Sequence, residues 1–371
     1  MYSSETIEVF FRLVRMGVGN DASRRAMMPA NTDWTQLKAL ADMQGLSAVV
    51  LDGINSVHES DVMVNSSFPL QMKLEWIGEV LQNYEQRYKQ YENAISTLAG
   101  FYNQHGFKMM VLKGYACSLD WPKPEHRPCG DIDIWQFGDQ KKADTTLRAW
   151  FKDRGSRFKI DTSHHHHTVF EWESFTVENH YDFINIHGHR SSQELEKIFK
   201  ELGNDSTHFV DCKGEKVYMP SPNLHALFLI RHLAAHFASV SITFRQLLDW
   251  ALFVEKHTTE IDRNWLIGVL KEFHMYDFYN IINAICVGDL GFAVKIFPSV
   301  QFDPSLKDRV LRDILKPEFT AEEPRNFFKR LVYKYKRWRG NAWKQELCFP
   351  DSRASSFLTG LWSHIIKPAH L

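Results

Sequence analysis

The spacing of apolar residues changes at Gly106, and this change constrains the fold more than any other feature of the chain. From residue 69 to 105, apolar and aromatic side chains recur every three or four positions, which predicts one face of a long helix. After Gly106, short apolar runs and alternating patterns predict strands up to about residue 220. Helical spacing returns after Ser221 and Pro222, a pair typical of a helix start.

These stretches predict an α/β (α+β) protein with a small mixed sheet between two helical regions. We expect a helical N-terminal region at 1–105, a core that contains the sheet at 106–220 and a helical C-terminal region at 221–371. A chain of 371 residues with 44% apolar residues can bury a core of this size. The strand signal is densest in "RFKID", "HHTVFEW", "SFTVEN" and "YDFINIHGH", which follow the earlier runs "FKMMVLKG" and "DIDIW".

Charge and cysteine content exclude several classes of protein. The 44 Lys and Arg residues nearly balance the 45 Asp and Glu residues, so no overall attraction to nucleic acid or to an anionic membrane is expected. No stretch of about 18 uncharged apolar residues predicts a transmembrane segment. Five scattered cysteines without a C-x-x-C pair argue against a disulfide framework and against a zinc cage, and favour a cytoplasmic location.

The stretch "RPCGDIDIW", residues 127–135, carries two carboxylates on one face of a predicted strand. Residues i and i+2 of a strand point the same way, about 6–7 Å apart, so Asp131 and Asp133 lie side by side. Neighbouring carboxylates repel each other unless they are neutralised, and hard oxygen ligands favour Mg²⁺ or Mn²⁺. The alternative is an edge strand whose alternate residues face water.

Basic residues and glycines surround this acidic pair. Lys113 and Gly114 end the preceding strand, and Arg127 and Gly130 lie just before Asp131. A glycine at a strand exit lets backbone N–H groups approach a phosphate, while Lys113 and Arg127 offset its charge. Together these residues predict a site for a nucleoside triphosphate (NTP) and a divalent metal ion.

The stretch "LKG...R..GDIDI", with the later strands and histidine-containing helix, resembles the bacterial uncharacterised nucleotidyltransferases of the polymerase-β-like nucleotidyltransferase superfamily. The resemblance spans about residues 75–255. It implies a nucleotidyltransferase-type sheet and metal-dependent transfer of a nucleoside monophosphate from an NTP to an acceptor, with release of pyrophosphate. Gly114 is then the nucleotide-loop glycine, Asp131 and Asp133 are catalytic metal ligands, and Lys113 and Arg127 contact phosphate. The acceptor stays unknown.

One part of the family pattern has no obvious match. Family members commonly carry an acidic residue two positions before a strand histidine, as in "E-L-H", whereas this chain has "NIH" at Asn185 to His187. The resemblance then makes Asn185 a metal ligand and His187 a catalytic residue that binds the acceptor or moves a proton. Asn185 cannot act as a base, so a catalytically impaired nucleotide-binding or regulatory protein is an alternative. Other candidates for a third carboxylate are Asp182, Glu171 and Glu173.

Histidines offer a further alternative, a histidine-based metal hydrolase. If residues 164–167, "HHHH", form a strand, their side chains alternate between faces, so at most two can meet one ion. They are either polar residues at a strand start or, for His166 and His167, residues that line the site. His232 and His236 share one helix face, where core or site-lining roles are favoured over a zinc pair.

Two features of the C-terminal region complete the prediction. In "FRQLLDW", Arg245 and Asp249 lie one helical turn apart, which predicts an ion pair that holds helices together. Residues 325–344 contain eight basic residues, no acidic ones and several aromatics. This composition predicts an amphipathic helix with its charges in water, or a surface for RNA or another polyanion; membrane contact is a third alternative.

Overall fold

A computed structural model describes residues 2–20, 31–58, 68–155, 157–187, 189–297, 301–319, 324 and 326–351, without the side chains of Phe327, Phe328, Leu331 and Lys334. A mixed six-stranded sheet lies at its centre, and helices precede and follow the sheet in the chain. The α+β fold class is therefore confirmed. The division into three regions stays a prediction. Helices from the predicted N-terminal and C-terminal regions share one apolar core. The edge-on contact of Phe11 and Phe244, with ring centroids 4.9 Å apart, is one example.

The N-terminal region is helical, as predicted. Asp33 begins the second helix, since its side chain accepts a hydrogen bond from the Gln36 N–H at 3.0 Å. The predicted long helix contains a π-helical turn at Leu81–Gln86, and Gly106, with φ of +79°, follows its end. The helices of this part are α1 Ser4–Gly17, α2 Trp34–Met43, α3 Ser47–His58, α4 Leu70–Val80 and α5 Arg87–Gln104.

The sheet has the strand order β3-β4-β2-β1-β6-β5. Strand β2 runs parallel to β4 and β1 runs parallel to β6, whereas the other neighbours are antiparallel. This order places β2, which follows Asp131, between β1 and β4. The strands are β1 Met110–Val111, β2 Ile132–Trp135, β3 His167–Trp172, β4 Phe175–His180, β5 Phe209–Cys212 and β6 Glu215–Tyr218.

Two of the predicted strands are wrong. "RFKID" contributes only a bridge between Asp161 and Val169. The described residues of "YDFINIHGH", 181–187 and 189, form no strand after β4. The backbone N–H groups of Phe183 and Ile184 donate to the Glu196 carboxylate at 2.9 and 3.1 Å instead of to a neighbouring strand. A helical side chain therefore satisfies the donors that a sheet ladder would use.

The two faces of the sheet have different neighbours. Ile132, Ile134 and Val177 pack with residues of α5 and of α7, Gln140–Asp153, in one apolar cluster. The alternate residues of the same strands point to the opposite face, towards the C-terminal helices. Those helices are α9 Pro222–Ser239, α10 Phe244–Lys256, α11 Arg263–Glu272, α12 Tyr276–Gly288, α13 Pro304–Leu315, α14 Phe327–Gly340 and α15 Ala342–Cys348.

The remaining connections lie beside the sheet. They are the one-turn helix α6 Tyr115–Ser118, a 3₁₀ turn at Pro124–His126, and α8 Ser191–Leu202. Among the residues that the structure describes, no helix is both long and apolar enough to cross a membrane.

Candidate active site

Three carboxylates meet on the face of the sheet that points to the C-terminal helices. Asp133 on β2 pairs in parallel register with Glu178 on β4, so the two side chains project from adjacent strands to the same face. Asp131 precedes Asp133 by two residues, and the charges of Glu178 and Asp133 both act on it. Sequence reasoning did not include Glu178 among the site residues.

Asp133 lies at the centre of this group and is almost completely buried, with 1% of its side chain exposed. Its Oδ1 atom is 3.0 Å from Lys113 Nζ and 3.2 Å from His180 Nε2. Burial raises the pKa of Asp133, but Lys113 and His180 outweigh burial and hold the pKa well below its usual range. Asp133 Oδ2 has no hydrogen-bond partner among the described residues, so one buried carboxylate oxygen is available for a ligand.

His180 supplies a second positive charge to the carboxylates. Its Nε2 atom is 3.2 Å from Asp133 and 3.6 Å from Glu178 Oε2, and its Nδ1 atom is 3.2 Å from the Asp182 carbonyl oxygen. Burial lowers the pKa of His180, but the two carboxylates raise it to about 9. At neutral pH the ring is therefore a cation that donates through both nitrogens.

Asp131 lies at the exposed edge of the group. Burial, followed by the charges of Glu178 and Asp133, raises the pKa of Asp131 above its usual value. Asp131 is thus the carboxylate with the least neutralisation from the protein itself. Its backbone carbonyl accepts a hydrogen bond of 3.0 Å from the hydroxyl of Tyr91, a residue of α5, which fixes the start of β2.

Gly114 follows β1 in a conformation that only glycine adopts easily, with φ of +57° and ψ of −99°. A Cβ atom at this position would lie 2.3 Å from Tyr91 Oη and 3.5 Å from the Asp131 carbonyl oxygen. Gly114 therefore lets the turn before α6 lie against the start of β2. Gly130 is different, because a Cβ atom there meets nothing within 4 Å.

A cavity of about 200 Å³ lies between these strands and the C-terminal helices. Helix α9 contributes His232 and His236, and α10 contributes Arg245 and Gln246. Of the residues that the sequence predicted for nucleotide and metal binding, the cavity brings together all except Asn185, which are Lys113, Gly114, Arg127, Gly130, Asp131 and Asp133.

The sequence model of a family described as uncharacterised nucleotidyltransferase matches residues 30–286. This match covers more than half of the chain and includes every residue of the cavity. The chain belongs to this nucleotidyltransferase family. Neither the curated proteins nor the solved structures compared with the chain include a significant match.

Arg127 is held by the protein itself in this member of the family. Its Nε and Nη2 atoms donate to the two carboxylate oxygens of Asp249 at 2.8 and 3.0 Å, and Nη1 donates to the Pro128 carbonyl. The predicted pair of Arg245 and Asp249 is wrong, because Asp249 binds the guanidinium of Arg127 and the indole N–H of Trp121. The Arg245 side chain lines the cavity instead.

Replacing Arg127 with lysine is expected to lower the free energy of unfolding by about 1–3 kcal/mol. Lysine keeps the charge but cannot form the planar, two-bond contact with buried Asp249. Urea unfolding measures the change, and Arg245→Lys on the same cavity wall serves as the matched control. Equal stability of the Arg127→Lys variant and the wild type would contradict this structural role.

His232 and His236 lie one helical turn apart in the cavity wall, with ring centroids separated by 4.3 Å. Burial, followed by the nearby charge of Lys113, lowers the pKa of both rings. Both are therefore neutral at pH 7 and can accept or donate a hydrogen bond without adding charge. The structure places them at the cavity, in agreement with the site-lining alternative.

The other predicted candidates for a third carboxylate have different partners. Asp182 forms an ion pair with Lys200 of α8, and Glu171 accepts a hydrogen bond of 2.9 Å from Thr176. Glu173 lies in the turn between β3 and β4, where Asn93 and Thr97 of α5 donate to it. Each of these carboxylates has a local structural partner.

Asn185 and His187 lie in the loop after β4 and not on a strand. Asn185 is exposed, and its Oδ1 atom accepts a hydrogen bond of 2.8 Å from the His187 N–H. The His187 ring is 5.2 Å from that of His165. No contact between the described residues joins either side chain to Asp133, and Asn185 as a metal ligand stays a prediction. The catalytic role of His187 stays a prediction.

A short motif contained the missing signal. The sequence "VENH" has Glu178 two positions before His180, which is the spacing of the acidic residue and histidine in the family pattern. The sequence analysis matched that pattern to "NIH" at residues 185–187, which places the histidine at His187. Only the strand pairing shows that Glu178 is opposite Asp133.

Glu196 of α8 holds the loop that follows His180 and gives a testable pH dependence. Burial outweighs the backbone donors at residues 183 and 184 and raises the pKa of Glu196 from 4.5 to about 7. The folded state therefore binds a proton more tightly than the unfolded chain, and this contribution to stability is lost as the pH rises from about 4.5 to 7.

We expect the contribution of Glu196 to be on the order of 2–3 kcal/mol, because the side chain is buried. Unfolding free energies of the wild type and of Glu196→Gln, measured between pH 4.5 and 7.5, should differ in slope across this window. Glu194→Gln, an exposed change on the same helix, is the control. Parallel curves for the wild type and Glu196→Gln would show that burial does not raise the pKa of the Glu196 carboxyl group.

Proposed function

We propose that the protein transfers a nucleoside monophosphate from an NTP to an acceptor hydroxyl or phosphate, with Mg²⁺ or Mn²⁺ as cofactor and pyrophosphate as product. The observation that carries this proposal is the convergence of Asp131, Asp133 and Glu178 on one face of the sheet, next to Gly114. Membership of the nucleotidyltransferase family supports the reaction class.

The donor atoms of the site fit a hard divalent cation. Carboxylate oxygens are the ligands that Mg²⁺ and Mn²⁺ prefer, and Asp133 Oδ2 is buried without a partner among the described residues. Asp131, Asp133 and Glu178 are the residues that would hold the ion. The chemistry supplied by the bound ion is neutralisation of phosphate charge and activation of the attacking oxygen.

The cavity residues suit the triphosphate. Lys113 and Arg245 supply positive charge at the wall, and Gly114 leaves the backbone open to a phosphate group. Lys113 contacts Asp133 at 3.0 Å, so this lysine lies where the phosphate and the carboxylates meet. These residues bind and orient the NTP so that its α-phosphorus faces the three carboxylates.

In the transfer, one bond to the α-phosphorus forms and another breaks. The acceptor oxygen bonds to the α-phosphorus, and the bond from this phosphorus to the oxygen shared with the β-phosphate breaks, so pyrophosphate leaves with the electron pair. When the acceptor is a hydroxyl, we assign Glu178 to take its proton, because Asp133 is buried and held by Lys113 and His180.

The test measures thermal stability with each NTP, in the presence and absence of Mg²⁺ or Mn²⁺, together with pyrophosphate release. An NTP at about 100 times its Kd should stabilise the fold by roughly 2.7 kcal/mol. We expect stabilisation that requires the metal ion and disappears in Asp131→Asn/Asp133→Asn. Absence of any shift with every NTP, in folded wild-type protein, would overturn the proposal.

The alternative of a catalytically impaired protein depended on Asn185 as the third metal ligand. Glu178 removes that argument, because it provides a carboxylate opposite Asp133. Turnover of any NTP to pyrophosphate that is lost in Asp131→Asn would decide between the two functions.

We also propose that α14 binds a polyanion, such as an RNA acceptor. Lys336 and Arg339 are exposed on this helix, and Tyr335 exposes 49% of its surface beside them. Arg325 of the predicted basic stretch lies outside the described residues. Affinity for single-stranded RNA should fall steeply between 50 and 200 mM salt and should weaken in Lys336→Ala/Arg339→Ala. A flat salt response would exclude this surface.

A further inference from the structure

Three imidazole rings cluster beside the carboxylates. One nitrogen atom from each of His166, His167 and His180 lies within 4.8 Å of the others. The ring of His167 is 4.3 Å from that of His166 and 5.2 Å from that of His180, measured between centroids. His167 and His180 expose only 7% and 4% of their side chains.

The nitrogens of this cluster lack partners to an unusual degree. Both ring nitrogens of His167 and Nδ1 of His166 are buried without a hydrogen-bond partner among the described residues. A buried polar atom without a partner destabilises the fold, and native proteins seldom keep three such atoms side by side without a ligand. A neutral imidazole carries one lone pair, so His166 and His167 each have one nitrogen that can bind a group accepting a lone pair.

The donor atoms define the class of this group. Imidazole nitrogen favours zinc and related transition-metal ions, whereas Mg²⁺ prefers oxygen. Glu178 provides a fourth donor, since its Oε2 atom is 3.8 Å from His167 Nδ1 and 3.6 Å from His180 Nε2. A tetrahedral zinc ion, with bonds of about 2.0–2.1 Å, needs its ligand atoms about 3.3 Å apart, so the rings must move inwards.

We propose that His166, His167 and His180, with Glu178, form a binding site for a transition-metal ion of the zinc class. This site shares Glu178 and His180 with the carboxylate group described above. An ion bound there replaces the proton on His180 Nε2, which removes the His180 hydrogen bond to Asp133, and it draws Glu178 towards the histidines. Binding at the histidine site therefore opposes the Mg²⁺-dependent reaction, a consequence that rests on the proposed function, whereas the binding itself does not.

The test uses Co²⁺, whose visible absorption reports coordination by nitrogen and oxygen independently of activity. The chain of 371 residues, without an added histidine tag, is titrated with Co²⁺, and Zn²⁺ is then added as a competitor. We expect one equivalent of tightly bound Co²⁺ that Zn²⁺ displaces. In His166→Gln and His167→Gln, the affinity should fall by at least tenfold.

His164→Gln is the matched control, because His164 belongs to the same run of histidines but not to the three-nitrogen cluster. Its Co²⁺ affinity should equal that of the wild type, and circular dichroism verifies the fold of each variant. Weak Co²⁺ binding by the wild type, or an equal loss in His164→Gln, would overturn the proposal.

Activity separates this inference from the proposed function. Zn²⁺ is added to the Mg²⁺-dependent reaction while pyrophosphate release is measured. If Zn²⁺ inhibits the wild type and inhibits His166→Gln less, the result supports both proposals. Co²⁺ binding without turnover of any NTP supports the histidine site and contradicts the proposed reaction. Turnover without Co²⁺ binding supports the reaction and contradicts the histidine site.

Discussion

Replacing Glu178 with glutamine is expected to reduce the rate of nucleotidyl transfer by about 10³-fold. The change removes one negative charge from the face that Glu178 shares with Asp133, together with the group assigned to accept the acceptor's proton. An amide keeps the size of the side chain but is a weaker metal ligand and cannot serve as a base. The affected quantity should be kcat, with a smaller change in the apparent affinity for the NTP.

Pyrophosphate release measures this effect, with an acceptor found by screening or with water as the acceptor. Glu171→Gln is the matched control, because it makes the same change on the same face of the sheet. Glu171 lies on β3, two residues after Val169, which pairs with Glu178. Glu171 was also a candidate for the third carboxylate. Loss of activity in Glu171→Gln but not in Glu178→Gln would reverse the assignment.

Stability distinguishes a lost catalytic group from a damaged fold. Glu178 is partly exposed, with 24% of its side chain accessible, and its partners are the rings of His167 and His180. Glu178→Gln should therefore change the free energy of unfolding by much less than the change in the activation barrier. A variant that loses activity only because it unfolds would show a lowered melting temperature in the same buffer.

The sequence was most informative where the chemistry is local. The motif "GDIDI" by itself predicts a binding site, because two acidic residues on one strand face after a glycine are unfavourable in a core and useful beside a phosphate. Gly114 and Lys113 belong to the same kind of signal, and the structure places them with Asp131 and Asp133 in one cavity. Short-range spacing determines which face each of these side chains occupies.

Partners that are distant in the sequence were not predictable in the same way. Arg127 meets Asp249 across 122 positions, whereas the sequence suggested the nearby pair of Arg245 and Asp249. The loop after β4 has the alternation of a strand, yet Glu196 binds its backbone N–H groups. Glu178 was missed for the same reason, since only the pairing of β2 with β4 brings it to Asp133.

Replacing Gly114 with alanine is expected to destabilise the fold by about 3 kcal/mol and to abolish stabilisation by NTPs. The added Cβ would lie 2.3 Å from Tyr91 Oη, and alanine rarely adopts a φ of +57° with a ψ of −99°. Backbone strain and overpacking each cost about 1–3 kcal/mol. Relief of the clash would move the turn that carries Lys113, which would displace its ammonium group from Asp133.

Two further variants separate the causes. Gly130→Ala is the matched control, because the added methyl group meets nothing within 4 Å, and it should retain most of the stability. Tyr91→Phe removes the hydroxyl that the new methyl group would meet, along with its hydrogen bond to the Asp131 carbonyl. In the Tyr91→Phe background, Gly114→Ala should lower the free energy of unfolding by less than it does in the wild type. The destabilisation that remains in this background is due to backbone strain. If Gly114→Ala lowers the free energy of unfolding equally in both backgrounds, the hydroxyl of Tyr91 is not the reason that position 114 requires glycine.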